Sequence, residues 1–246
     1  MFPPWLHVLS IAALLLALAC AIIVAIDVWR HPQSMGIMNV VWPATALFGS
    51  VAVAWMYFRY GRETGGAGMH PHAEHHDGAD MSHGSATPFP VAVSKGTLHC
   101  GSGCAIGDII AEWLAFLAPS VAVWFGWHWL FDDKMYAVWV LDFLVAFLLG
   151  IVFQYFAIAP MRNLSFRDGM VAALEADTLS LIAWQIGMYG FMAFAQIYAF
   201  GRLFGARAPV DSPEFWFAMQ WAMAAGFIVS FPVNWWLISA GIKEKM

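Results

Sequence analysis

One short segment of the chain, from Thr97 to Asp108, brings metal-binding side chains close together. His99 is followed directly by Cys100 and, four residues later, by Cys104. Thiolate and imidazole groups are soft or borderline ligands that suit copper(I) or zinc. We therefore expect His99, Cys100 and Cys104 to supply three ligands to a soft metal ion, at the entrance to a membrane span.

Two carboxylates continue this spacing. If the segment is helical, Cys100, Cys104, Asp108 and Glu112 recur every four residues and form one stripe that leads inward from the membrane surface. An Asp within a span costs about 2.5–3.5 kcal/mol on insertion scales, so such residues normally face a bundle interior or an aqueous path. We expect Asp108 and Glu112 to line the path of the ion. A carboxylate at headgroup level near a helix start would explain Asp108 equally well.

Methionines in two later apolar runs could extend the path. Met188 and Met223 lie on helical faces that also carry amide side chains. Thioethers bind copper(I), although methionine more often fills gaps in packing. We expect Met188 and Met223 to act as deeper ligands, and Gln185, Gln220 and Asn234 to form hydrogen bonds between helices.

A polar segment from Gly61 to about Val93 precedes the motif. It has too little apolar surface to fold alone, so we expect it to be disordered. Its imidazoles could collect metal ions near the entrance, although a solvated linker is the simpler interpretation. The residues concerned are His70, His72, His75, His76 and His83.

Two other interpretations of the cysteine pair stay open. Gly103, Gly107 and Ala111 share its four-residue spacing, and small residues let membrane helices approach closely, so the motif could serve packing alone. The pair could also exchange thiol and disulfide, with an adjacent imidazolium favouring the thiolate. A metal transporter is the leading hypothesis, with copper(I) first and zinc second; a membrane thiol–disulfide oxidoreductase and a non-catalytic scaffold are the alternatives.

The composition shows what kind of element must position these residues. Hydrophobic residues make up 61% of the chain and charged residues 11%, against about 45–50% and 25% in soluble domains. The formal net charge of −5 argues against nucleic-acid binding, and three cysteines are too few for a disulfide-rich secreted domain. The chain contains no phosphate-binding loop and no hydrolase motif, so we expect no nucleotide and assign no catalytic residue. No pair of intramembrane histidines is placed to hold haem.

The apolar runs predict an all-α, polytopic membrane bundle of six transmembrane helices in contact with the lipid bilayer. Residues 1–60 hold the first two spans, residues 61–94 the His-rich loop, and residues 95–246 a four-helix membrane domain. The predicted spans are Leu6–Trp29, Ile37–Tyr60, Ala105–Leu130, Tyr136–Ala159, Ala176–Phe200 and Phe215–Ala240.

Basic residues near the span ends predict the orientation. With a cytoplasmic N-terminus, seven Lys and Arg residues fall on the inner side and four on the outer side. Because loops rich in basic residues stay in the cytoplasm, we expect both termini to lie inside.

Three separated blocks resemble one known family. They are Thr97–Asp108, Ala176–Gly190 with its Ala-Asp-Thr-Leu-Ser-Leu start, and the C-terminal Phe231–Met246. Together they are similar to the bacterial membrane family called domain of unknown function 4396, over roughly residues 95–246. The resemblance implies a multispanning protein of the bacterial inner membrane and assigns no activity.

Overall fold

The structure is a computed structural model that describes residues 2–63, 87–162 and 164–244. The five histidines of the predicted metal-collecting loop, from His70 to His83, lie outside these residues. Over the described residues the chain forms seven helices and no strand. They are α1 (Pro4–Arg30), α2 (Met38–Met56), α3 (Phe89–Leu117), α4 (Ser120–Trp124), α5 (Lys134–Arg162), α6 (Phe166–Ala193) and α7 (Pro213–Ser239).

All of these helices except α4 are long and apolar enough to cross a membrane. This confirms the all-α bundle with six spans. Wider π-type turns extend α2 through Tyr57–Gly61 and α6 through Phe194–Leu203. The starts of the last two helices follow from local sequence, since the hydroxyls of Ser165 and Ser212 accept backbone N–H groups of the first turn.

The predicted bounds of the third span are wrong. The helix is Phe89–Leu117, not Ala105–Leu130, so it begins inside the segment expected to be a disordered loop. Gly, Ser, Thr, Lys and His lower the hydropathy of its first half, but most of these small and polar residues are buried against other helices. The apolar residues after Leu117 belong instead to the short α4 and to turns.

The fifth span also begins earlier than predicted. The helix α6 starts at Phe166, ten residues before the predicted start at Ala176. Asp177 therefore lies about three turns into the helix rather than at its opening.

Four helices, α3, α5, α6 and α7, form the main bundle, in which α3 packs along α5 and α6 along α7. The α1–α2 hairpin packs beside it, against α3 and α7. The close approach of these helices depends on glycine. A Cβ added at Gly103 would lie 2.9 Å from the backbone nitrogen of Gly150, and a Cβ added at Gly187 would lie 2.7 Å from the carbonyl oxygen of Ala225. Small residues thus bring α3 to α5 and α6 to α7.

The second helix is interrupted at Ser50, whose φ of 46° and ψ of −128° are not helical. The side-chain amide of Gln220 on α7 donates a hydrogen bond of 3.0 Å to the carbonyl oxygen of Leu47, just before this break. The contact between helices predicted for Gln220 is thereby confirmed, and it compensates the backbone near the interruption.

Candidate functional site

The segment from Thr97 to Asp108 occupies the middle of α3 and does not form an entrance at a helix end. Eleven of its residues are buried, and Ile106 is the exception. The two glycines between the cysteines continue the helix, so the alternative of a loop around a metal ion is wrong. Any ion that reaches the cysteine pair must therefore bind within the bundle.

Cys100 and Cys104 lie one helical turn apart, and each has no solvent-exposed surface. Both are free thiols within hydrogen-bonding reach of each other. They belong to one continuous core cluster with Met188 of α6 and Met223 of α7, which are also fully buried or nearly so. Four sulfur side chains from three helices thus belong to one continuous core.

His99 faces another way. Its ring lies against the ring of Phe153 on α5, with 6.5 Å between the centroids, and neither ring nitrogen has a hydrogen-bond partner. Phe153 belongs to the core cluster between the α1–α2 hairpin and the bundle, not to the cluster of the sulfur side chains. Among the described residues, no three His, Cys, Asp or Glu side chains are placed to hold one metal ion. The three-ligand site of His99, Cys100 and Cys104 remains a prediction.

Beyond the cysteines, Asp108 of α3 faces Asp142 of α5 within hydrogen-bonding reach. Both side chains are almost completely buried. The hydroxyl of Tyr189 on α6 donates to Asp142 Oδ2 over 3.1 Å and to the Trp139 carbonyl oxygen over 3.0 Å. Three helices thus enclose a pair of carboxyl groups.

Glu112 lies one turn beyond this pair and is 6% exposed. It lines a cavity of about 150 Å³ together with Lys134, whose ammonium donates to the Ala115 carbonyl oxygen over 2.7 Å. The positive charge of Lys134 is therefore on the side of Glu112, away from the Asp108–Asp142 pair. Asp108 and Glu112 are both buried in the second half of α3, inside the bundle and away from the start of the helix.

Sequence reasoning missed Asp142. It is a single acidic residue within the apolar run from Tyr136 to Ala159, so the cost of burying a carboxylate could have marked it. The sequence does not reveal that Asp142 pairs with Asp108, because the two residues are 34 positions apart and meet only through the packing of α3 on α5.

A second buried polar cluster lies at the opposite end of α6 and α7. Lys243, at the end of the chain, donates to Asp177 Oδ1 over 3.2 Å and to Asn234 Oδ1 over 2.9 Å. Asn234 in turn donates to the Ser180 hydroxyl over 2.7 Å. The interpretation of Asp177 as an ordinary first-turn acid is thus wrong, and Asn234 is confirmed as an interhelical hydrogen bonder. No side-chain partner is present for the amide of Gln185 among the described residues.

Asp108 and two methionines of α7 line one cavity. A space of about 190 Å³ is lined by Asp108, Met219, Gln220 and Met223, together with apolar residues of α1, α2, α3 and α7. Met188 and Met223 are inside the bundle as expected, while their role as ligands remains a prediction. The same holds for the zinc or copper(I) that they were expected to bind.

No curated protein and no solved structure matches the sequence. The resemblance seen in the three sequence blocks is confirmed by a family model whose match begins at residue 91, close to the start of α3, and ends at residue 243. Cys100 and Cys104, the carboxyl pair and the Asp177–Lys243 pair all lie within this range. Described as a domain of unknown function (DUF4396), the model matches residues 91–243, more than half of the chain, and the chain belongs to that family.

Proposed function

We propose that the protein binds a soft metal ion, copper(I), at Cys100 and Cys104 and moves it through the bundle. The observation that carries the proposal is that two buried, adjacent thiols belong to the same core cluster as Met188 and Met223. Thiolate and thioether sulfur are the ligands that favour copper(I). His99 is not part of this centre, since it faces Phe153.

Copper(I) fits this centre better than zinc. Protein zinc sites use Cys, His and carboxylate ligands, usually four in structural sites and three in catalytic ones. The described residues contain no such group of three around the cysteines. A pair of thiolates supplemented by thioethers does not need further nitrogen or oxygen ligands, so copper(I) is the preferred cargo.

Transport, rather than storage, is supported by what lies along α3 on both sides of the cysteines. The carboxyl pair Asp108–Asp142 continues the buried polar groups in one direction, and the Asp177–Lys243 pair continues them in the other. Ionisable groups inside membrane spans are costly and usually mark an ion path. Full burial of both thiols also leaves no surface on which a partner disulfide could react, which argues against the oxidoreductase.

Copper content of the purified protein tests the proposal. Under anaerobic conditions we expect one copper(I) per chain, and Cys100→Ser or Cys104→Ser should lower the affinity by at least the roughly 10–100-fold typical of weakened metal sites. The double variant should cost little more, because both thiols act in one site. Cys20→Ser is the matched control, since Cys20 is equally free and buried but lies outside the family domain.

The affinity for copper(I) should depend on pH in one direction. Each thiol must lose its proton to bind the ion, so affinity should rise with pH, and protons should be released on binding. This is measured by copper competition with a chromophoric chelator at two pH values. Equal copper content in the wild type and all three variants would end the proposal, and a redox-dependent thiol count without copper would favour the oxidoreductase.

A further inference from the structure

The contact between Asp108 and Asp142 imposes a condition on their protonation. Two ionised carboxylates in contact repel each other strongly when both are removed from water. A single proton between them turns the contact into a hydrogen bond, since a protonated carboxyl donates and a carboxylate accepts. Neither Asp108 oxygen has a hydrogen-bond donor among the described groups, and the same is true of Asp142 Oδ1. The shared proton is the donor that these oxygens lack.

Among the residues that the structure describes, no positive side chain balances the carboxyl pair. On α3, Glu112 lies one turn after Asp108 and the Cys104 thiol lies one turn before it. On α6, the Tyr189 hydroxyl faces the pair. The α7 residues that share the cavity with Asp108 are uncharged. Lys134 is on the far side of Glu112 and donates to a backbone carbonyl. Neutralisation must therefore come from a bound cation.

A proton suits the pair better than a metal ion. Divalent ions bound by carboxylates take six or more oxygen ligands. Asp108, Glu112 and Asp142 are not placed as a metal-holding group. The Asp177 carboxyl offers a contrast within the same bundle, because Lys243 lies 3.2 Å from its Oδ1 and supplies a fixed positive charge.

The cavity beside Asp108 gives a proton a route of exchange. Its volume of about 190 Å³ is enough for several water molecules, each of which occupies roughly 30 Å³ in the liquid. The Gln220 side chain lines the same space and supplies a polar group for water. We propose that Asp108 and Asp142 form a proton-binding site that holds one proton between the two carboxyls and exchanges it with water in this cavity. The site does not depend on copper binding.

Infrared spectroscopy of the purified protein tests this directly. A protonated carboxyl has a carbonyl stretching band distinct from the carboxylate bands. In the wild type at neutral pH we expect such a band, which shifts in heavy water and disappears at alkaline pH. Asp108→Asn and Asp142→Asn should each change the intensity or the position of this band, because the proton is no longer shared between two carboxyls. Glu112→Gln separates the contribution of this neighbouring buried carboxyl from that of the pair, and Asp177→Asn should leave the band unchanged.

The possible results separate this inference from the copper proposal. Absence of the band in the wild type, or an identical band in the wild type and both Asn variants, would overturn the proton site. If an Asn variant does not fold, Asp142→Glu should keep a protonated carboxyl with a shifted band, and loss of the band there would also count against the site. Copper content measured on the same samples reports on Cys100 and Cys104 alone.

Discussion

At the scale of single residues, Lys243 carries a positive charge into the bundle, with no exposed side-chain surface. Asp177 and Asn234 are its partners. Removing one member of such a buried pair leaves an uncompensated charge, which costs about 3–5 kcal/mol. Lys243→Met should therefore lower the unfolding temperature in detergent clearly, with the free energy of unfolding reduced by about that amount.

The double variant Lys243→Met with Asp177→Asn is the control for this prediction, because it removes both charges together. It should recover most of the lost stability, since replacing a whole buried pair by uncharged groups is often nearly neutral. The exposed pair of Arg207 and Asp133 gives a second comparison, and its removal should change stability by no more than about 1 kcal/mol. Equal losses in the single and double variants would show that Lys243 acts through packing rather than charge.

Part of the candidate site can be predicted from the types of residue in the sequence. The sequence identifies Cys100, Cys104, Asp108 and Glu112, because thiols and intramembrane carboxylates are unusual in an apolar chain. It does not reveal that His99 turns away from the cysteines, because neighbouring residues on a helix point about 100° apart and only the packing decides which face is used. The partner of Lys243 is equally invisible, since it depends on the chain folding back after α7.

At the scale of helices, the contact of α3 with α5 is set by glycine. A Cβ at Gly107 would lie 2.8 Å from the backbone nitrogen and Cα of Ala146, and backbone atoms cannot move aside cheaply. Gly107→Ala should force the helices apart and destabilise the protein by about 1–3 kcal/mol, as overpacking does elsewhere. The same shift would separate Asp108 from Asp142.

Gly96→Ala on the same helix is the matched control. Its new Cβ would meet only the side chains of Ile238 and Lys243, at ordinary distances of 3.5 Å and 3.9 Å. Because alanine favours helix over glycine, this variant should be neutral or more stable by up to about 1 kcal/mol. Thermal unfolding in the same detergent compares the two variants, and a Gly107→Ala protein as stable as the wild type would contradict close packing of α3 on α5.

The bounds of the helices can be predicted from the sequence where the helices face lipid, and less well where they face each other. Apolar runs located α1, α5 and α7 to within a few residues, since lipid contact demands a continuous hydrophobic surface. For α3, 61% of its most apolar window is buried in the protein, more than in any other candidate span. Its first half could therefore use small and polar residues that a hydropathy pattern assigns to a loop.

For the whole molecule, the family match divides the chain into two parts. The buried polar groups of the candidate site all lie in the domain of residues 91–243, while the α1–α2 hairpin precedes it. Among the described residues, side-chain hydrogen bonds join the two parts, from Gln220 to the Leu47 carbonyl oxygen beside the break in α2 and between His7 and Glu214. The hairpin thus covers one side of the domain and contributes Leu14, Leu47 and Phe48 to the cavity beside Asp108.

The six spans also make a prediction about topology. An even number of crossings places both termini on the same side of the membrane, and the excess of basic residues on that side predicts the cytoplasm. A reporter that is active only in the cytoplasm should work after Met246, and the same reporter inserted at Asp132, between α4 and α5, should be silent. A reporter active only outside should give the reverse pattern. If the fusion after Met246 works only outside, the orientation is inverted, and the Asp177–Lys243 end of the bundle would then face the periplasm. Equal signals at the two positions would contradict the number of spans instead.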